Sequence, residues 1–321
     1  MNTVESIFGV RNVEGLSNRG VPVREPDKSL PANAYPKRID PYTFQEGLLG
    51  KLLRIFVGKP TNPDTLLIGD TGCGKSSVIE QVATRLGWPV FSIACSGRLR
   101  VSSLFGCYVL KGGETVYQYG PLALAMIHGG VFLANEVTRL PSDEQMALAE
   151  VLDSGRVTIP ETGEVLVAHR HFRFFATGNS GGYGDESGAY AGERVSSFAF
   201  LDRFQKFVVH YLLPTEETAL LKKLTKGKLP AELIDSMVGL ADDMRKNFVS
   251  RPGGSLRLTM STRALTTWAL ETVSYKTSGL FPDPAGEALA DTVLNGAPET
   301  DVEVVQELWR KWINEPGSVP A

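Results

Sequence analysis

The segment GDTGCGKS, Gly69 to Ser76, fits the spacing GxxxxGK[ST] of a phosphate-binding P-loop. Its glycines would let backbone N–H groups turn toward phosphate oxygens, Lys75 would neutralise charge on the β- and γ-phosphates, and Ser76 would ligate magnesium. The apolar run TLLIG precedes the loop and a helical pattern follows it, which is the context that a P-loop requires. The pattern predicts binding of ATP with Mg²⁺ by Gly69, Asp70, Thr71, Gly72, Cys73, Gly74, Lys75, Ser76 and Ser77.

A P-loop ATPase also needs polar groups at the end of a second buried strand, to hold hydrated magnesium and to orient the attacking water. The run VFLANE supplies them: Glu136 is placed to orient water, and Asn135 stands where an aspartate is expected for the metal. An amide oxygen can accept a hydrogen bond from metal-bound water but adds no negative charge. Slow hydrolysis and ATP binding without hydrolysis both stay open.

Three later residues fit the same site. Asn179, in ATGN at the end of the predicted strand HFRFFAT, could act as a polar sensor of the γ-phosphate. Arg203 in LDRF could reach a neighbouring subunit's γ-phosphate as an arginine finger. Arg263 in STRAL opens a predicted helix and could couple phosphate state to the position of a C-terminal domain. A surface salt bridge explains either arginine alone, but their order after the P-loop favours the catalytic interpretation.

Two other groups have simpler explanations. His169 and His171 are two residues apart, a spacing that would put both on one side of a strand, but no third metal ligand is evident. Asp185 and Glu186 could bind a cation, and turn chemistry explains acids among glycines equally well. Neither pair is assigned to the site.

The elements that must position these residues alternate along the chain. Apolar runs TLLIG, PVFSIA, GGVFLAN and HFRFFAT predict strands, and helical patterns lie between them. Ser142 and Gln145 predict a capping box that opens a helix ending near Gly155. Alternating strands and helices predict an α/β fold, a parallel sheet with helices on both faces.

The predicted organisation has three parts: an extended N-terminal arm (1–38), an α/β nucleotide-binding core (39–213), and a small C-terminal helical lid domain (214–321). Within the core, an insertion covers about 96–121 and a hairpin about 156–168. The lid follows from amphipathic segments at 215–225, 231–248, 261–275 and 300–313.

Composition is that of an ordinary globular enzyme, with 321 residues, 42% hydrophobic content and a net charge of −3. Nothing resembles a basic nucleic-acid footprint, and residues 122–134, the longest apolar stretch, are too short to span a bilayer. We expect a cytoplasmic protein without membrane contact. Cys73, Cys95 and Cys107 have no ligand-like spacing and are interpreted as reduced packing residues.

With these residues in place, the chain resembles the MoxR branch of AAA+ ATPases, and within it the CobS-like group of cobaltochelatase AAA+ subunits. The resemblance covers most of the chain and includes IFGVRNVEG, EQVATRLGWP, YVLKGGETVYQYGPL, GRVTIP and FRFFATGNSGGYGDESGAYAG followed by LDRF. It implies a homo-oligomeric, hexameric ring, ATP with Mg²⁺, and a partner with a von Willebrand factor A domain. CobS-like proteins carry Asp-Glu where this chain has Asn135-Glu136.

The expected function is therefore ATP-driven remodelling or activation of a partner protein or metalloenzyme complex. Two alternatives are a ring scaffold that closes on ATP and hydrolyses it slowly or not at all, and a nucleic-acid motor. The net charge of −3 and the lack of a basic aromatic face disfavour the motor.

Overall fold

The computed structural model describes residues 2–10, 20–58, 64–184, 192–251 and 253–314. Its central sheet consists of five strands, which are β1 (Asp64–Ile68), β2 (Val90–Ala94), β3 (Val131–Asn135), β4 (Arg173–Gly178) and β5 (Phe204–Val208). All neighbours pair in parallel, in the order β2–β3–β4–β1–β5. The P-loop therefore follows an interior strand, and the carboxyl ends of all five strands meet at one edge.

Helices of the first two-thirds of the chain include α1 (Val4–Phe8), α2 (Glu46–Val57), α3 (Lys75–Arg85), α4 (Ser102–Phe105), α5 (Pro121–His128), α6 (Ser142–Ser154) and α7 (Phe198–Leu201). Single 3₁₀ turns occur at Ala32–Ala34 and Val137–Arg139. Alternate strand residues enter opposite apolar clusters, with Leu66, Phe132 and Phe174 in one and Leu67, Leu133 and Phe175 in the other. Helices α2 and α3 pack in the second cluster and α5 and α6 in the first, which confirms the α/β fold with helices on both faces.

The C-terminal region is helical: α8 (Pro214–Thr225), α9 (Ala231–Lys246), α10 (Thr262–Ser278), α11 (Pro284–Leu289) continued by a π turn at Ala290–Leu294, and α12 (Glu299–Asn314). These helices share their own apolar cluster around Trp268, whose indole N–H donates to Ala285 O over 2.8 Å. A helical C-terminal region is confirmed, although α11 was not predicted. The domain boundaries stay predictions.

Two antiparallel hairpins project from the core. The insertion hairpin pairs Gly106–Lys111 with Glu114–Tyr119, and the second hairpin pairs Arg156–Thr158 with Val165–Val167. Tyrosine hydroxyls join them: Tyr108 Oη donates to Glu161 O over 2.9 Å, and Tyr119 Oη donates to Glu164 Oε2 over 2.6 Å. The hairpins are thus hydrogen-bonded to each other at two points.

Three local expectations differ from the structure. The N-terminal arm is not extended throughout, because α1 forms there and buries Val4 and Phe8 against α2 and α3. The capping box is wrong, since Pro141 occupies the N-cap and the Gln145 amide instead donates to Leu140 O and Ser196 Oγ, both over 3.1 Å. Strand β5 was not predicted. Across the described ranges, no helix is long and apolar enough to cross a membrane.

Candidate functional site

The P-loop connects β1 to α3 through backbone that only glycine adopts easily. Gly72 and Gly74 have φ of 71° and 97°, the left-handed region, and Gly74 is the N-cap of α3. A Cβ at Gly69 would lie 2.1 Å from Val209 O, and one at Gly72 would lie 2.4 Å from Ser261 Cβ. The glycines therefore serve both the turn and the close approach of the loop to β5 and to the C-terminal region.

Lys75 is the first residue of α3 and its side chain folds back over the loop. Its Nζ donates to Gly69 O over 2.7 Å, to Asp70 O over 2.8 Å and to Asn179 Oδ1 over 2.9 Å. Burial lowers the pKa of Lys75, and nearby negative groups, including the carboxylates of Asp70 and Glu136, offset part of this effect. A buried ammonium with ordered acceptors beside a glycine turn suits a polyphosphate.

Asn135 ends β3 next to the P-loop. Ser76 Oγ donates to Asn135 Oδ1, and Thr177 Oγ1 on β4 approaches the same amide oxygen at 3.4 Å. The amide oxygen thus accepts from a P-loop hydroxyl, which places two oxygen atoms side by side, and oxygen is the ligand type that Mg²⁺ prefers. Within the described ranges, no group of three or more His, Cys, Asp or Glu side chains could hold a metal ion.

Glu136 follows β3 with φ of 57°, a left-handed conformation that is uncommon for a non-glycine residue. Its backbone N–H donates to Thr177 Oγ1 over 3.1 Å, and its carboxylate Oε2 lies 3.0 Å from Arg139 Nε. Such backbone geometry clusters at functional sites, where surrounding contacts hold it. The turn directs the carboxylate away from the strand, toward Arg139.

Asn179 follows β4 and contacts Lys75 directly through its side-chain oxygen. The backbone around it is fixed by Glu193, which accepts from Asn179 N over 3.3 Å and from Ser180 Oγ over 2.6 Å. The ends of β1, β3 and β4 therefore bring together two hydrogen-bonded pairs, Lys75 with Asn179 and Ser76 with Asn135, whose lysine and serine are neighbours in the chain.

Two side chains from beyond β5 contact the P-loop, one from the segment between β5 and α8 and one from the loop after α9. Tyr211 Oη donates to Thr71 O over 2.8 Å, and Arg251 forms an ion pair with Asp70. Tyr211 lies under the guanidinium of Arg245, which is 4.3 Å from its ring centre and pairs with buried Glu217. The P-loop backbone is thus connected by polar contacts to helices α8 and α9.

A cavity of about 340 Å³ lies between the P-loop and the C-terminal helices. Its polar wall includes Gly72, Cys73, Gly74, Ser77, Thr262 and Arg263, and its apolar wall includes Ile39, Leu48, Leu212, Leu220, Leu224 and Leu270. Tyr42 also lines it, and burial raises the pKa of this tyrosine to about 12, so the ring is a neutral wall. The P-loop, Arg263 and an apolar wall together fit a nucleotide.

Arg203 lies elsewhere. It precedes β5, whose first residue pairs with Asp64 at the start of β1, so it is at the amino end of the sheet. The P-loop follows the carboxyl end of β1, one strand length away, roughly 15 Å. The structure therefore does not bring Arg203 to the P-loop of its own chain.

The histidine pair lies in the turn before β4 and not on a strand. His171 packs edge-on against Trp88 at 5.5 Å, and burial together with the charges of Arg24 and Arg170 lowers its pKa to about 4. A neutral imidazole packed against a tryptophan ring agrees with a structural role for the histidine pair and not with a metal site. Asp185 and Glu186 lie outside the described residues.

Sequence reasoning missed Thr177, Glu193, Tyr211 and Arg251. Thr177 had a signal, since it lies in HFRFFAT two residues before Asn179 and at the end of a strand. The other three lie in loops. The contacts of Tyr211 and Arg251 join residues 140 and 181 positions apart, and Glu193 meets Asn179 and Ser180 across a loop of 13 to 14 positions. No local pattern could have indicated them.

Three features define a P-loop ATPase of the AAA+ class. They are the order of the strands in the sheet, the P-loop after β1, and the polar side chains at the carboxyl ends of β3 and β4. The domain family described as "AAA domain (dynein-related subfamily)" matches residues 64–204. Over 324 residues, covering 97% of this chain and 91% of the relative, the chain is 30% identical to aerobic cobaltochelatase subunit CobS of Sinorhizobium sp. The chain therefore belongs to the MoxR/CobS-like family of AAA+ ATPases.

Two further comparisons agree. Over 117 residues, 36% of this chain and 43% of the relative, the chain is 39% identical to protein NorQ of Paracoccus denitrificans (strain Pd 1222). The crystal structure of NtrX from Brucella abortus matches with a TM-score of 0.53 at 17% identity, covering 84% of this chain and 59% of that one. The second comparison shows a shared fold.

Proposed function

We propose that this ATPase binds and hydrolyses ATP with Mg²⁺ as one subunit of a ring, and uses the cycle to remodel or activate a partner protein. The observation that carries the proposal is the pair of P-loop contacts at the ends of three parallel strands, Lys75 with Asn179 and Ser76 with Asn135. It supports phosphate binding by residues 69–77, with the nucleoside in the adjoining cavity against Arg263.

Each polar residue then has a role in this chain. Lys75 neutralises phosphate charge, Ser76 and Asn135 hold the hydrated cation, and Glu136 orients water. Asn179, already hydrogen-bonded to Lys75, reports the state of the γ-phosphate. When bound, magnesium would supply positive charge that offsets the charge of the phosphates.

Arg203 is proposed to act in a neighbouring subunit, as an arginine finger. Its position at the amino end of the sheet supports this role, because its own P-loop lies at the other end. A ring is therefore required for full activity. The similarity to a cobaltochelatase subunit and to the MoxR branch supports a hexamer, and also supports a partner with a von Willebrand factor A domain and a client that is a metalloenzyme complex.

The second candidate is a ring scaffold that binds ATP and turns it over slowly or not at all. Asn135 favours it, since the amide adds no charge beside the cation. The contact of Glu136 with Arg139 favours it too, because that ion pair competes with water for the carboxylate. Steady-state ATP hydrolysis by the purified ring separates the two candidates: turnover above that of Glu136→Gln supports the first.

Subunit mixing tests the shared site. Arg203→Ala subunits keep Glu136 but lack the finger, whereas Glu136→Gln subunits keep the finger but cannot orient water. Each should be inactive alone, and mixed rings should regain part of the wild-type activity. In the control mixture, Arg203→Ala subunits are combined with the double variant Glu136→Gln/Arg203→Ala. The double variant has no arginine finger, so this mixture should regain no activity. Mixed rings as inactive as both parents would contradict the proposal.

A further inference from the structure

Arg203 is held by a single carboxylate from another part of the chain. Its Nε donates to Asp153 Oδ1 over 2.7 Å and its Nη2 donates to Asp153 Oδ2 over 2.6 Å. A third donor, Nη1, bonds Ala199 O on α7. The two parallel bonds to Asp153 fix the plane of the guanidinium as well as its position, which a single bond could not do.

The pairing leaves one side of the guanidinium available. A guanidinium has five N–H donors, and three have acceptors in Asp153 and Ala199. Within the part of the chain that the structure describes, the remaining N–H groups of Nη1 and Nη2 have no acceptor in the same subunit. A phosphate oxygen approaching from outside could therefore accept from them without breaking the Asp153 pair.

Asp153 occupies a position where an acid is unfavourable for its helix. It lies in the last turn of α6, where the carbonyl ends of the helix favour cations, and that turn carries no basic residue. The carboxylate is about half exposed, so packing does not require it. Because an acid is unfavourable in the last turn of a helix and packing does not require this one, we interpret Asp153 as a partner for Arg203.

An exposed apolar side chain lies on the helix just before Arg203. Phe198 is 75% exposed and is the first residue of α7, the helix whose Ala199 carbonyl accepts from Arg203. Single exposed apolar residues are common, but this one belongs to the element that helps to hold the guanidinium. A second copy of the chain, presenting its phosphate-binding edge, would meet the free donors of Arg203 and cover Phe198.

We infer that Asp153 is a positioning residue for the arginine finger: it holds the Arg203 guanidinium by one edge so that the other edge reaches the γ-phosphate of the next subunit. The inference rests on the proposed action of Arg203 in a neighbouring subunit. Asp153 touches no reacting atom. Its removal should therefore lower turnover while leaving ATP binding by the same subunit unchanged.

The test uses full-length rings and three readouts: turnover, ATP affinity and complementation. Asp153→Ala should lower turnover about tenfold, since a misplaced catalytic group costs up to about 100-fold, and ATP affinity should be unchanged. Asp153→Asn should lose less, because one oxygen acceptor remains. Asp202→Ala is the matched control: this exposed acid is adjacent to Arg203 in sequence and interacts with it only through space, so turnover should stay at the wild-type value.

Complementation separates positioning from general damage. Asp153→Ala subunits have an intact cleft and a poor finger, so Glu136→Gln subunits should restore their activity and Arg203→Ala subunits should not. The reference mixture is Arg203→Ala with Glu136→Gln, which should recover activity. If it does, two results would overturn the inference: wild-type turnover in Asp153→Ala rings, or no recovery when Asp153→Ala subunits are mixed with Glu136→Gln subunits. If that reference pair fails to recover, the shared site itself is wrong.

Discussion

The carboxyl and amino ends of the central sheet present their polar groups differently. At the carboxyl end, Lys75, Ser76, Asn135 and Asn179 bond to each other or to the P-loop backbone within one chain. At the amino end, Arg203 is held along one edge by Asp153 and follows α7, whose first residue, Phe198, is exposed. The polar groups at the carboxyl end are paired within the subunit, whereas Arg203 at the amino end keeps N–H donors without an acceptor among the described residues.

The difference separates two kinds of effect. A change at the carboxyl end alters how the subunit binds its own nucleotide, because the groups there already contact each other. A change at the amino end should leave that binding intact and alter turnover in the adjacent subunit. Affinity and turnover are therefore expected to respond to opposite ends of the same sheet.

The largest expected effect is at the carboxyl end. Lys75→Ala should weaken ATP binding by about 100-fold or more, because a buried ammonium that meets the phosphates is removed. Equilibrium titration with a fluorescent ATP analogue measures the affinity. Lys111→Ala, an exposed lysine on the insertion hairpin, is the control and should bind as the wild type does. A folded Lys75→Ala protein with unchanged affinity would remove the basis for the phosphate site.

The amino end should show a pH-dependent stability of its own. Asp64, at the start of β1, is shielded from solvent and lies near the Asp153 carboxylate, and these effects raise its pKa to about 7. The folded state therefore holds a proton that the unfolded state, with a pKa of about 4, releases. The stability of the wild type should fall as pH rises from about 4 to about 7, and the cost is complete above pH 7.

Asp64→Asn removes the ionisation. At about 1.4 kcal/mol per pKa unit the full cost is near 4 kcal/mol, and partial exposure of Asp64 reduces it to about 2 kcal/mol. The variant should be more stable than the wild type by that amount at pH 8 and by less at pH 5. Chemical unfolding at both pH values measures it, with Asp202→Asn as the exposed control. An equal difference at pH 5 and pH 8 would contradict the assignment.

A smaller effect is expected at Asn135, where the site differs from the family pattern. Asn135→Asp keeps the acceptor for Ser76 and adds a negative charge near hydrated magnesium, worth about 1–3 kcal/mol at an effective dielectric of about 20. Turnover should rise about tenfold and the magnesium requirement should fall. Magnesium titrations of steady-state hydrolysis measure both.

Glu136→Gln is the companion variant: it should retain bound ATP without hydrolysis in either background. If Asn135→Asp changed neither the magnesium dependence nor turnover, neighbouring groups would already supply the charge. Asn135 would then be a neutral variant of a working site.

Local patterns predicted much of the carboxyl end. The motif around Lys75 and the polar ends of two strands are each contiguous in sequence, so spacing alone indicated that they meet. Helical periodicity similarly predicted four of the C-terminal helices. Their chemical roles stay predictions, since geometry places side chains without testing what they do.

The amino end was less predictable for a physical reason. Strand β5 begins directly after Arg203, and its segment FQKFV lacks a clear apolar alternation, so only pairing with β1 defines it. Asp153 is 50 positions from Arg203 and meets it through the packing of α6 against α7. Contacts that depend on how two helices pack cannot be predicted from the spacing of residues along the sequence. The capping box failed similarly, because Gln145 finds buried partners only in the folded chain.

The tyrosine bonds between the two hairpins have a mechanical consequence. Tyr108 bonds Glu161 and Tyr119 bonds Glu164, so the insertion hairpin is attached at two points to the second hairpin. A force applied at the tip of the insertion hairpin, near Gly112 and Gly113, would therefore pass to the second hairpin as well. Residues 168–172 join the second hairpin to β4, which ends at the residue before Asn179. Tension on the hairpins would thus reach Asn179, and its hydrogen bond with Lys75, along the backbone of β4.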